Sequence, residues 1–168
     1  MTIRRATEAD AEALALVGSA TFLESYALSL PGPDLVRHCA RAHAREVYEA
    51  WLNDPNCAIW VAVAGEAMVV GYAVLTPSDL PERRGEDLEL RRLYLLTRFQ
   101  GGGSGRAFVE TVAEEARRRG ATRLTLGVYG ENHAALAFYG RVGFVPVGTR
   151  EFTVGDKVCA DYVLGRTP

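Results

Sequence analysis

The sequence predicts an α/β protein: a twisted central sheet of about seven strands, parallel and antiparallel mixed, with helices on both faces. Three observations predict it. Short apolar or alternating runs recur between helical patterns, in the order β-α-α-β-β-β-α-β-α-β-β. Two of them, 57-CAIWVAVA-64 and 67-AMVVGYAVL-75, are joined through Gly65-Glu66 and read as an antiparallel hairpin. From 88 to 144 strands and helices alternate, and strand–helix–strand crossovers place parallel strands in one sheet. No repeat or long linker divides the 168 residues, so a single domain over 1–168 is expected.

Residues 2–6 read as a first strand, and Thr7 with Asp10 forms a T-x-x-D cap signal. Leu14, Val17, Ala20 and Phe22 then recur at near-helical spacing to about Leu28, where 29-SLPGPD-34 breaks the pattern. A second helical region covers about 34–53, with Val47, Tyr48, Trp51 and Leu52 as its apolar stripe, and ends at 53-NDPN-56. After the hairpin, the charged linker 76-TPSDLPERRGED-87 leads into 88-LELRRLYLL-96, an alternating strand. Phe108, Val109, Val112, Ala113 and Ala116 mark the buried face of a helix ending at Gly120. Glu114–Arg118 and Glu115–Arg119 are its outer i,i+4 pairs. Strand 122-TRLTLGVY-129, helix 132-NHAALAFYGRV-142 and two strands around a Gly155-Asp156 turn complete the chain.

Composition excludes several classes. Hydrophobic residues are 48% and charged residues 24%, an ordinary globular mix, and a net charge of −2 gives no electrostatic reason to expect nucleic acid or a membrane surface. Cys39, Cys57 and Cys159 are odd in number with no CxxC spacing, and His38, His43 and His133 form no HExxH, so no metal is expected. The N-terminus MTIRRATEAD lacks a hydrophobic signal region, and no apolar run approaches the roughly 18 residues of a membrane span. A cytoplasmic protein is expected.

The stretch 98-RFQGGGSGR-106 carries the chemistry. It joins a strand to a helix starting near Ser104, so its amides belong to a helix N-terminus, where unpaired N–H groups and the helix dipole favour anions. A flexible turn is the plainer reading; a phosphate site is the functional one. A P-loop would need Lys-Ser/Thr after its last glycine, but Gly105 precedes Arg106-Ala107. A dinucleotide fingerprint would need glycine where Arg106 stands, and no acidic residue near position 120 awaits a ribose.

Gln100, Gly101, Gly103 and Gly105 instead spell Q-G-x-G-x-G, which resembles the pyrophosphate-binding motif of the GCN5-related N-acetyltransferase (GNAT) superfamily. The segment 130-GENHAALAFYGRVGF-144 resembles that family's second motif at Asn132, Ala135, Phe138, Tyr139, Gly143 and Phe144. TFLESYAL at 21–28, LELRRLYL at 88–95 and the tail at 152–164 are similar to bacterial spermidine/spermine acetyltransferases of the PaiA type. Thr97 departs from the proline of many GNAT loops, and Gly102 from the larger residue often found there.

The resemblance implies the GNAT fold, acetyl-CoA as donor and no metal. It implies CoA contacts from Gln100, Gly101, Gly102, Gly103, Ser104, Gly105 and Arg106, with Leu93, Tyr94 and Leu95 pairing the pantetheine arm through their backbone between strands 88–96 and 122–129. Asn132 caps its helix or holds the pantetheine, and Tyr139, two turns along the same face, is the general acid. Glu89 is the candidate base for an ammonium whose pKa lies near 10.4; its plainer reading is an exposed charge paired with Arg91. Alternation sets Glu89, Arg91, Leu93 and Leu95 on one face of the strand and Leu88, Leu90, Arg92 and Tyr94 on the other. The expected acceptor is a small-molecule amine, with a polyamine or a protein N-terminus as finer alternatives, and Glu24 with the linker carboxylates Asp79, Glu82, Glu86 and Asp87 as sources of negative potential. An acyl-CoA-binding module without turnover is the alternative class, and a homodimer is the assembly to test for.

Overall fold

The computed structural model describes residues 1–155 and 157–168; Asp156 of the predicted Gly155-Asp156 turn lies outside the described residues. The strands are β1 (Thr2–Arg5), β2 (Ala58–Ala64), β3 (Met68–Pro77), β4 (Leu88–Leu95), β5 (Leu124–Tyr129), β6 (Val145–Val154) and β7 (Lys157–Arg166). The helices are α1 (Ala11–Tyr26), α2 (Gly32–Ala42), α3 (Arg45–Asn53), α4 (Ser104–Arg118) and α5 (His133–Arg141). The strands form one seven-stranded sheet in the order β1-β2-β3-β4-β5-β7-β6. Two compact units divide the chain, Met1–Val74 with Arg92–Phe108, and Leu75–Arg91 with Val109–Pro168.

In the first unit β1 pairs antiparallel with β2, Thr2 opposite Val63 and Arg5 opposite Trp60. Leu14, Val17, Tyr48, Ile59, Val61, Val69, Tyr72 and Val74 form its core. Ahead of α1 the predicted cap is made by Asp10, whose carboxylate accepts from Thr7 N at 2.8 Å and is gripped by both Arg4 terminal nitrogens at 2.8 Å. The helical region expected over 34–53 is two helices. His43 (φ −114°, ψ 21°) and Ala44 (φ −60°, ψ 147°) break it without glycine or proline, because His43 turns inward and is 3% exposed.

In the second unit β7 lies between β5 and β6 and is antiparallel to both, with Gly127 opposite Val163 and Tyr129 opposite Asp161. The register of β6 shifts between Pro146 and Gly148. Val109, Val112, Ala113 and Ala116 of α4 are buried as their spacing predicts. Glu115, expected on the outer face, is instead buried at 7% exposure; it accepts from Arg119 at 2.7 Å, and Arg118 also turns to it rather than to the expected Glu114. β4 and β5 run parallel, paired at Leu88–Leu124 and Glu89–Thr125, and among the described residues their ladder ends there. No helix among the described residues is long and apolar enough to cross a membrane.

Candidate functional site

The glycine loop lies in the first unit. A 3-10 turn, Thr97–Phe99, separates β4 from it, and Gln100 folds back so that Nε2 donates to Leu95 O at 2.9 Å. Gly101 (φ +83°) and Gly103 (φ +85°) occupy the left-handed region that favours glycine. Gly102 does not, so its lack of a side chain is not a backbone requirement. A Cβ at any of the three would meet nothing within 4 Å, so no other group packs against the loop on that side. Ala107 N makes the first i→i−4 bond, to Gly103 O at 3.0 Å. The amides of Gly101 through Gly105 therefore precede the helical ladder, at the positive end of α4. Arg106 sits exposed in the first turn.

Leu93, Tyr94 and Leu95 belong to the same unit. Leu96 N donates to Val70 O at 2.9 Å, and Gly71 allows the approach: a Cβ there would lie 2.7 Å from Tyr94 O and 2.5 Å from Leu95 Cδ1. The Tyr94 ring packs 5.7 Å from Tyr72 and 6.0 Å from His43, so its side chain joins the core.

In the second unit, the Asn132 Oδ1 accepts from Ala135 N at 3.0 Å and caps α5. At the other end Gly143 is left-handed (φ +89°), Gly143 N reaches Gly140 O, and Phe144 N reaches Tyr139 O at 3.0 Å. This is a Schellman ending, with the Phe144 ring 5.6 Å from Tyr139. The Y-x-x-x-G-F spacing thus has a physical basis: it stops the helix and braces the half-buried Tyr139 ring between Phe138 and Phe144.

Glu89 is not an exposed strand charge. It is 1% exposed, and Arg91 Nη1 donates to its Oε2 at 3.2 Å while also reaching Asp79 at 2.6 Å. Burial pushes the Glu89 carboxyl above its ordinary range; Arg91 opposes that rise and Asp79 adds to it. A carboxylate held this way is suited to take up a proton. Glu24, by contrast, is spent on structure: its Oε2 accepts from Thr97 N at 3.1 Å and Thr97 Oγ1 at 3.0 Å.

A polar group that the sequence does not announce fills the first unit's core. Arg92 Nη1 donates to Tyr48 Oη at 2.8 Å, Arg92 Nη2 to Ala42 O at 2.6 Å, and its guanidinium stacks 4.7 Å over Trp51. Tyr48 Oη lies 2.8 Å from His43 Nδ1 and 2.7 Å from Tyr72 Oη. Arg92 Nη1 also approaches His43 Nδ1 at 3.4 Å, and since arginine only donates, Nδ1 is the accepting nitrogen of a neutral ring. Burial, with Arg92 and His38 nearby, lowers the His43 pKa to about 3. No spacing links residues 43, 48, 72 and 92; only alternation, which puts Arg92 and Tyr94 on one face, gave a signal.

Residues 22–144 match the acetyltransferase (GNAT) family. An uncharacterised N-acetyltransferase of Mycobacterium tuberculosis is 35% identical over 161 residues, 94% of this chain and 97% of that protein. N-acetyltransferase 8F1 of Rattus norvegicus is 31% identical, over 74% of this chain and 55% of its own. Among solved structures, PaiA N-acetyltransferase from Thermoplasma acidophilum in complex with coenzyme A is similar in fold, with TM-score 0.82 at 18% identity over 99% of this chain and 98% of that one. Ribosomal-protein-alanine N-acetyltransferase from Brucella melitensis gives 0.75 at 28% identity over all of both chains.

Proposed function

This chain belongs to the acetyltransferase (GNAT) family and is an acetyl-CoA-dependent N-acetyltransferase, and we propose that it passes the acetyl group directly to a primary amine within a ternary complex. One observation carries the reading: a run of glycine-borne amides at the N-terminus of α4, with two glycines in the left-handed region and nothing within 4 Å of where a Cβ would stand at any of the three. Those amides suit a pyrophosphate, with Arg106 as added positive charge. The backbone of Leu93, Tyr94 and Leu95, with Asn132, holds the pantetheine arm. Residues 1–168 act as one domain, a reading supported by β3, β4 and α4, each of which contributes residues to both units.

Bound acetyl-CoA supplies an activated thioester. Glu89 Oε2 takes the proton of the acceptor ammonium, directly or through one water, which frees the nitrogen lone pair for attack. Tyr139 Oη donates its proton to the departing sulfur. The acceptor is a small amine, a polyamine among the candidates. A protein N-terminus is the second reading, favoured by the full-length likeness to the Brucella enzyme at 28% identity.

Following thiol release from acetyl-CoA against small amines, polyamines and alanine-initiated peptides tests the acceptor. Gly103→Val places a branched side chain before the amides and is expected to weaken CoA binding at least tenfold, about 1.4 kcal/mol. Unchanged CoA affinity in that variant removes the loop from the site.

A further inference from the structure

Charged side chains gather on one face of the second unit's sheet. Asp79, Arg91 and Glu89 are joined in a row at 2.6 Å and 3.2 Å. Farther along, Tyr129, Asp161 and Arg150 stand opposite one another on β5, β7 and β6, and Arg150 Nε donates to Asp161 Oδ2 at 3.2 Å. Strand alternation puts Thr125, Gly127 and Tyr129 on that same face, with Glu89 beside Thr125. Arg150 links the groups: it acts electrostatically on both Glu89 and Asp79. Its guanidinium also rests on the Gly127 backbone, where a Cβ would lie 2.5 Å from Cζ.

Three carboxylates, Asp79, Glu89 and Asp161, thus share two guanidiniums, and hydrogen-bond donors fall short of acceptors. The shortfall has an address. Asp161 is 5% exposed, and among the described residues its Oδ1 is a buried side-chain atom without a hydrogen-bond partner. Protonation does not repair this, because an Oδ1–H would be a buried donor with no acceptor. Burial raises the Asp161 pKa against the pull of Arg150. The Arg150 side chain, 24% exposed, lies over Gly127, whose lack of a side chain leaves room for it.

We propose that Asp161 is an acceptor-binding residue, its Oδ1 receiving an N–H of a second cationic group on the acceptor while the reacting amine lies at Glu89, with Arg150 sliding off Gly127 to admit it. This rests on the reading of the chain as an amine acetyltransferase. Four residues of β5 separate the rows of Glu89 and Asp161, about 13 Å of strand at ~3.3 Å per residue. The favoured acceptor is therefore long and cationic at both ends.

Calorimetric titration of diaminooctane and aminooctanol, equal in length and differing in one terminal group, tests this on the full chain. The wild type is expected to bind the diamine at least tenfold more tightly. Asp161→Asn abolishes that preference and leaves aminooctanol within twofold. Arg150→Gln, which removes the competing cation, strengthens diamine binding threefold or more, an outcome a purely structural pair would not give. Equal affinity of the wild type for the two probes, or parallel weakening of both in both variants, overturns the assignment. Thiol release in the same samples keeps the two readings apart: a retained diamine preference without transfer removes the amine-acetylation reading and leaves Asp161 as a cation site.

Discussion

Glu24 of α1 and Thr97, 73 residues apart in sequence, are bound by two hydrogen bonds to one carboxylate oxygen, at 3.1 Å from the Thr97 backbone N–H and 3.0 Å from its hydroxyl. This accounts for threonine where the family resemblance leads one to expect proline. Proline has no N–H to give, and here the N–H fastens the turn that feeds Gln100 and the glycine loop. Proline is tolerated at the first position of a helical turn, so Thr97→Pro removes both bonds with little backbone cost. Thr97→Pro and Glu24→Ala are each expected to weaken CoA binding three- to tenfold. Because they delete the same contact, the double variant should be no worse than either single one. Additive losses by calorimetry would show that the contact does not act as a unit.

Tyr139→Phe keeps the ring that packs between Phe138 and Phe144 and the Schellman ending of α5, and removes only the hydroxyl. Thermal midpoint and CoA affinity should match the wild type, while kcat falls roughly 10²–10⁴-fold, the range of a positioned acid. Wild-type kcat in this variant would assign the proton to solvent or another group.

Glu89→Gln separates stability from catalysis. The folded carboxyl has a raised pKa, so its contribution to stability is present below the unfolded value near 4.5 and lost as pH rises through the folded value. At pH 7 the variant should be as stable as the wild type or more so, and at pH 4 that advantage should vanish. Turnover should fall at neutral pH and partly recover toward pH 10, where more of the amine is already neutral. A variant equal to the wild type in kcat and KM for every amine would leave Glu89 with a structural role alone.

His43 gives the opposite sign. Its folded pKa of about 3 lies below the ordinary 6.5, so its stabilising contribution is complete above pH 6.5 and is lost as pH falls toward 3. Urea midpoints of the wild type should decline through that window. His43→Asn, which cannot take up the proton, should start lower at pH 7 and fall less steeply; equal slopes for the two proteins would contradict a buried neutral ring.

Much of this was legible in the sequence, for local reasons. The hairpin, the α4 face and both glycine-bearing motifs are written in neighbouring residues, and the structure supplies their mechanics, such as the left-handed Gly143 that ends α5. What stayed hidden depends on distant residues. The break at His43 carries no punctuating residue, because the ring is drawn inward by Tyr48 and Arg92. Glu89 reads either as a base or as an exposed charge paired with Arg91 until the Asp79 segment and Arg150 are in place. Asp161 and Arg150 are ordinary strand charges until register sets them opposite each other.

Glycine inside a helix is usually an invitation to the protein engineer, since alanine there gains up to about 1 kcal/mol. Gly140 in α5 accepts that invitation: a Cβ would meet nothing within 4 Å, and Gly140→Ala should raise the thermal midpoint. Gly18 in α1 refuses it. A methyl there would come closer than 3.0 Å to Tyr48 Oη, His43 Nδ1 and Tyr72 Oη at once, the polar atoms that gather beneath Arg92. Gly18→Ala should therefore lower stability, by pushing α1 off these hydroxyls or breaking their bonds. Position 18 is a seat kept vacant, and helix propensity, the commonest guide to thermostabilising a scaffold, points the wrong way at the residue where this protein can least follow it.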